Sequence, residues 1–166
     1  EFYWSELPDA GYADDHFFFS YMLVAEASPD SVDYTLNLEH LSPAEASFKV
    51  ALRGVTDGMH HCRVYLNDNL LGDSWWSGLE EQIYQVEIPQ AYLLEGNNKV
   101  TLELPGDTGA DYEFCLVNWI EISYQKSFIA SNNYLECQIT QPGNFSFTAS
   151  GFTNNNLEVF KIDNDG

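Results

Sequence analysis

Residues 32–38 read VDYTLNL, with apolar side chains at every second position and Asp33, Thr35 and Asn37 between them. A half-buried strand sorts residues this way because its successive side chains point to opposite faces, whereas a helix repeats about every 3.6 residues. The same two-residue period returns in Phe48, Val50 and Leu52, in Cys62, Val64 and Leu66, in Tyr84, Val86 and Ile88, and in Val100, Leu102 and Leu104. Two further runs, HFFFSYMLVA at 16–25 and FCLVNWIEISY at 114–124, are apolar almost throughout. They predict central strands covered on both faces. Shorter strands are expected near 134–140, 144–149 and 157–162.

Turn-forming residues separate these runs: Ser28-Pro29-Asp30, Asp57-Gly58, Asn67-Asp68-Asn69, Gly96-Asn97-Asn98, Pro105-Gly106-Asp107 and Pro142-Gly143-Asn144. Each supplies a fixed φ, a tolerated positive φ or a side chain that bonds its own backbone. Only Pro89–Leu94 and Ser42–Ala46 could form a helical turn. Eight or more short strands at this spacing predict an all-β, jelly-roll-like antiparallel β-sandwich. The pattern softens near Tyr124–Asn133, so the expected division is a sandwich at 1–128 and an appended β segment at 129–166.

A chain of 166 residues can bury one sizeable core, and 45% hydrophobic residues supply the material for it. Against 26 acidic residues stand 6 basic ones, a formal net charge of -20. That charge repels nucleic-acid phosphates and anionic membrane surfaces, so neither is an expected partner. No run reaches the roughly 18 apolar residues of a membrane span. The opening at Glu1 and the closing IDNDG suggest a piece of a longer protein.

Cys62, Cys115 and Cys137 are widely spaced and form no CxxC motif. Each lies in an apolar alternating run, which predicts buried free thiols. His60, His61 and Cys62 are adjacent, but strand geometry sends neighbours to opposite faces and denies the thiol a base within reach. His61 is expected to face solvent beside a buried Cys62. The sequence carries no GxSxG, HExxH, P-loop or dinucleotide fingerprint, and no catalytic residue is assigned.

Two sites remain as candidates. Trp75 and Trp76 follow Gly72-Asp73-Ser74, which predicts a loop or the start of a strand, with one indole buried and the other exposed for stacking on a sugar ring. Trp4 and Trp119 read as packing residues. The GDTGADYE segment at 106–113 gathers Asp107, Asp111 and Glu113 between glycines that permit tight folding. Calcium takes six to eight oxygen ligands, about what such a loop can begin to supply, so calcium is a candidate ion although no cofactor is required. The other acidic groups are Asp9, Asp14 and Asp15, and Asp163 and Asp165.

The segments HHCRVYLNDNLLGDSWW and VEIPQAYLLEGNNKVTLELPGDTG resemble a turn-and-strand progression of galactose-binding-like and carbohydrate-binding jelly rolls. LVNWIEISYQK at 116–126, the opening EFYWSEL and the closing GFTNNNLEVFKIDN resemble the non-catalytic region that precedes the protease of gingipain-type (family C25) cysteine peptidases. The resemblance implies a non-catalytic accessory domain of a larger secreted peptidase, extracellular or at the cell surface. Its expected partner is the downstream peptidase domain of the same chain. The alternative it implies is a calcium-assisted carbohydrate-binding module with a glycan as partner. Asn118 stands where the family's strand has Asp, which weakens any calcium role carried by that position.

Overall fold

The computed structural model describes residues 1–4, 17–138, 143–144 and 146–160. The chain divides into two compact units, Glu1–Gln125 and Lys126–Gly166. The first contains β1 (Phe2–Tyr3), β2 (Phe17–Phe18), β3 (Ser20–Ala25), β4 (Asp30–Leu38), β5 (Ala46–Gly54), β6 (Met59–Leu66), β7 (Asn69–Ser77), β8 (Glu81–Ile88), β9 (Gly96–Leu104) and β10 (Tyr112–Ser123).

Strands β3-β10-β5-β8 form one four-stranded sheet and β4-β9-β6-β7 another, while β1 and β2 form a short ribbon. All pairings between these strands are antiparallel. The order is nested: β3 pairs with β10, β4 with β9, β5 with β8 and β6 with β7, as in one long hairpin. Rolling that hairpin brings β10 onto β5 and β9 onto β6. This is the strand order of a jelly roll, two packed antiparallel sheets.

The alternation that predicted the strands also builds the core. Val100, Leu102 and Leu104 of β9 face Phe48, Val50 and Leu52 of β5 within one buried cluster, joined by Cys62, Val64, Leu66 and Cys115. Asn67 and Asp68 take positive φ of 49° and 63° and link β6 to β7 as a two-residue hairpin turn, with Leu66 opposite Asn69. The helical turn expected at Pro89–Leu94 is a 3₁₀ turn over Gln90–Tyr92.

Several expectations are corrected. The run at 16–25 is not a covered central strand: β3 lies at a sheet edge and leaves Tyr21 and Leu23 56% and 45% exposed. Its continuous apolarity comes from a second cluster outside the sheet, where Phe18 and Leu116 pack with Trp4, Val55 and Phe114. Ser42–Ala46 forms bends leading into β5 rather than a helical turn.

β7 was expected only as a loop or the start of a strand at Trp75 and Trp76, whereas it runs over Asn69–Ser77 and those residues lie near its end. Its inward positions are interrupted by a bulge between Val64 and Tyr65 of β6, which breaks the two-residue period over Leu70, Leu71 and Gly72. Gly72 takes a φ of 148°, which residues with a side chain rarely adopt, so glycine suits that bulge.

The second unit departs further. Among its described residues the pairing consists of isolated bridges, Ile129 with Ser150 and Ser131 with Tyr134, not the three expected strands. Residues 139–140, 145 and 161–162 of those expected strands lie outside the described residues. The unit is organised by side chains: Asn133 Oδ1 accepts from the backbone N–H groups of Thr153 and Asn154 at 2.7 and 3.2 Å, and Phe128 packs on Phe147. Its polar composition gives few apolar positions to hold a sheet. Cys137, expected buried, is exposed here.

Candidate functional site

The β6–β7 hairpin sets two histidine–tryptophan pairs on opposite faces of one sheet. Its register places His60 opposite Trp76 and His61 opposite Trp75. Inside, the rings of His60 and Trp76 stack at 4.9 Å with planes 22° apart. Outside, His61 and Trp75 stack at 3.8 Å and 14°. Trp76 is buried at 8% exposure and Trp75 remains 48% exposed. One buried and one open indole was the expectation; of the loop or strand start expected there, the structure has a strand, with both residues near its end.

His61 does not face solvent as expected. It is outward-directed yet buried, because Trp75 covers one ring face and the segment after β9 folds over its edge. Its Nδ1 lies 2.6 Å from Asp107 Oδ1. A carboxylate only accepts, so Nδ1 donates. Nε2 lies 3.5 Å from Asp73 Oδ2. The imidazole is therefore anchored through Nδ1 and lies beneath the indole, while Nε2 is buried without a hydrogen-bond partner.

On the inner side His60 Nε2 donates to Thr56 O at 3.1 Å, and burial lowers its pKa. Gly54 makes this seat possible, since a Cβ there would lie 2.1 Å from Gly78 O and 2.5 Å from His60 Nε2. Glu113, at the start of β10, is also fully buried. Its Oε1 accepts the His61 backbone N–H at 2.7 Å, and His60 Nδ1 stands 3.9 Å away. Burial raises the Glu113 carboxyl above its ordinary range, opposed by the His61 N–H.

The acidic segment thus serves the hairpin. Asp107 joins His61 and, through Oδ2 at 3.3 Å, Arg63; Glu113 holds the β6 backbone; Asp111 is exposed. Among the described residues no group of three or more His, Cys, Asp or Glu side chains is placed to hold a metal ion. Asp107, Asp111 and Glu113 are thus not brought together as such a group. Asp9, Asp14, Asp15, Asp163 and Asp165 lie outside the described residues.

Cys62 points into the core with its thiol pushed up to about 12 by burial, and its Sγ contacts Arg63 O rather than an imidazole. No His–Cys nucleophile pair is formed there. Trp4 packs edge-on against Phe114, and Trp119 lies opposite Ala51 in the β10–β5 pair.

Sequence reasoning missed the rest of the outer face. A shallow groove of about 380 Å³ lies there, lined on β4, β9 and β6 by Asp33, Lys99, Thr101, Glu103 and Tyr65. The signal was available as the polar half of each alternating strand.

No protein-family model matches the sequence, and no curated protein does. Solved structures do. A family 35 carbohydrate-binding module from an environmental isolate aligns over 70% of this chain and 82% of its own, at 16% identity and TM-score 0.48. A family 36 carbohydrate-binding module, solved with calcium and xylotriose, aligns over 61% and 78%, at 17% identity and TM-score 0.46. Dimeric latent PorU from Porphyromonas gingivalis aligns over 74% of this chain but 14% of its own, at 11% identity and TM-score 0.48. At these identities and scores the likeness carries nothing about a site or an activity.

Proposed function

We propose that this chain is a non-catalytic recognition module that binds carbohydrate on the open face of Trp75, serving as an accessory domain of a larger secreted or surface-attached protein. One observation carries the reading: the Trp75 indole is half exposed and stacked on a buried histidine that is itself anchored to Asp107 through Nδ1. A flat, immobile, apolar surface rimmed by carboxylates suits the C–H face of a sugar ring, whose hydroxyls then meet Asp73 and Asp107. Ordering such a ring in advance removes part of the entropic cost of binding.

Calcium has no part in this reading, since Asp107 and Glu113 are engaged by the hairpin itself. A glycan array probed with wild type and Trp75→Ala tests it. Binding that Trp75→Ala abolishes supports the platform, and silence from the wild type removes it.

A second reading is favoured by a different surface. On the outer side of the β3-β10-β5-β8 sheet, Tyr21, Leu23 and Ile83 are 56%, 45% and 51% exposed. Tyr21 also packs edge-on against Phe114 at 5.6 Å. β10 is the strand whose sequence resembles the region ahead of C25-type proteases. Under this reading the exposed face holds the downstream peptidase domain of the same protein. Co-expression with that domain, followed by a pull-down with Tyr21→Ser/Leu23→Ser, checks it; association unaffected by the substitutions contradicts it.

A further inference from the structure

The sheet that carries Trp75 presents more than one outward aromatic side chain. Its register lays the outward side chains out in rows across the strands. Trp75 and His61 form the first row. Asp73, Arg63, Glu103 and Ser31 form the next, through the pairs Arg63 with Asp73, Arg63 with Glu103 and Ser31 with Glu103. Tyr65, Thr101 and Asp33 follow, and Lys99 opposite Thr35 closes the series. Trp75 and Tyr65 are therefore outward aromatic residues on one face, four residues apart along β6, or about 13 Å.

The ground between them is polar and held in place. Arg63 bridges Glu103 at 3.7 Å and Asp107 at 3.3 Å. Tyr65 Oη donates to Glu103 Oε2 at 3.0 Å, which fixes the ring. Lys99 Nζ sits 3.0 Å from Asp68 and 3.9 Å from Asp33, and Thr101 Oγ1 donates to Asp33. The groove lies over these last groups. Its donors and acceptors are preset by one another, so a hydroxyl arriving there meets oriented partners.

Resting on the reading of Trp75 given above, we infer that the ligand is an extended, uncharged oligosaccharide that runs across the face from Trp75 over Arg63 and Glu103 to the groove at Tyr65. Two aromatic residues that far apart cannot be covered by one sugar ring. The carboxylates of Asp33, Asp68, Asp73, Glu103 and Asp107 outnumber the cations of Arg63 and Lys99, in a chain of net charge -20. An acidic glycan would be repelled along the whole path. A chain of neutral sugars offers hydroxyls to every row without that penalty.

Calorimetric titration with neutral β-1,4-linked xylo- and gluco-oligosaccharides of increasing length tests the inference, using wild type, Trp75→Ala, Tyr65→Ala and Tyr65→Phe. Wild-type affinity is expected to climb with length until both aromatic residues are covered. Trp75→Ala lowers affinity for every length. Tyr65→Ala costs about fivefold to tenfold for the long chains alone, and Tyr65→Phe, which keeps the ring, restores most of it. Thermal unfolding of the variants identifies any loss due to misfolding. Oligogalacturonates of equal length should bind at least tenfold more weakly. Binding by the wild type that is independent of length and indifferent to Tyr65→Ala overturns the extended path and leaves the Trp75 platform standing. No binding by the wild type to any neutral oligosaccharide overturns both.

Discussion

The imidazole of His61 lies flat beneath the indole of Trp75, ring centroids 3.8 Å apart and planes within 14°, and is itself buried. The floor of the exposed indole is thus a rigid side chain tied to Asp107. A flat ring at position 61 matters more to this arrangement than a titratable one. His61→Ala is expected to lower glycan affinity about fivefold to tenfold, by the scale of an aromatic contact, and His61→Phe to recover most of it. Calorimetry on the two variants checks this; equal losses would show that the ring is not what holds Trp75.

The two tryptophans should separate by stability. Trp76 is 8% exposed and part of the sandwich core, so Trp76→Ala should cost about 3–5 kcal/mol in urea unfolding. Trp75→Ala removes a half-exposed ring and should cost about 1 kcal/mol or less. Similar losses at both positions would contradict the assignment of faces.

The buried acid and base pull stability in opposite directions with pH. Burial raises the Glu113 carboxyl, so its contribution is full below the ordinary glutamate pKa of about 4.3 and is lost as pH rises through its folded value. Burial lowers His60, so its contribution is full above about 6.5 and is lost as pH falls through its folded value. Glu113→Gln keeps an acceptor for the His61 N–H and removes only the first effect. The variant should therefore gain stability relative to wild type as pH rises from about 4.3 toward neutrality, read from urea midpoints across that range. A difference that stays constant with pH would contradict the buried carboxyl.

The thiols should divide just as sharply. Cys62 and Cys115 are buried with pKa values pushed up, Cys62 to about 12, while Cys137 is exposed. Native protein at pH 8 should take up label at Cys137 alone, and denatured protein at all three without prior reduction. Mass spectrometry of the alkylated chain gives the count directly; fast native labelling of Cys62 or Cys115 would contradict the packing.

The sandwich was legible because a one-sided strand writes its burial into every second residue. Val32 to Leu38 and Val100 to Leu104 follow that rule and pair in register, Val32 with Leu102 and Tyr34 with Val100. The rule failed where a strand is buried by something other than the opposite sheet. Tyr21 and Leu23 face outward from an edge, and His61 is covered by its cross-strand neighbour. It failed again at β7, where the bulge shifts the period. The site was half legible: an open and a buried indole follow from alternation, whereas the alignment of Tyr65 with Trp75 depends on cross-strand register, which no local pattern encodes.

The most direct test is a glycan array of neutral oligosaccharides probed with wild type and Trp75→Ala in parallel, with urea unfolding to show that both are folded. Binding by the wild type that vanishes in the variant is the expected result. A folded wild type that binds nothing, or a variant that binds as well as the wild type, would contradict a sugar platform at Trp75.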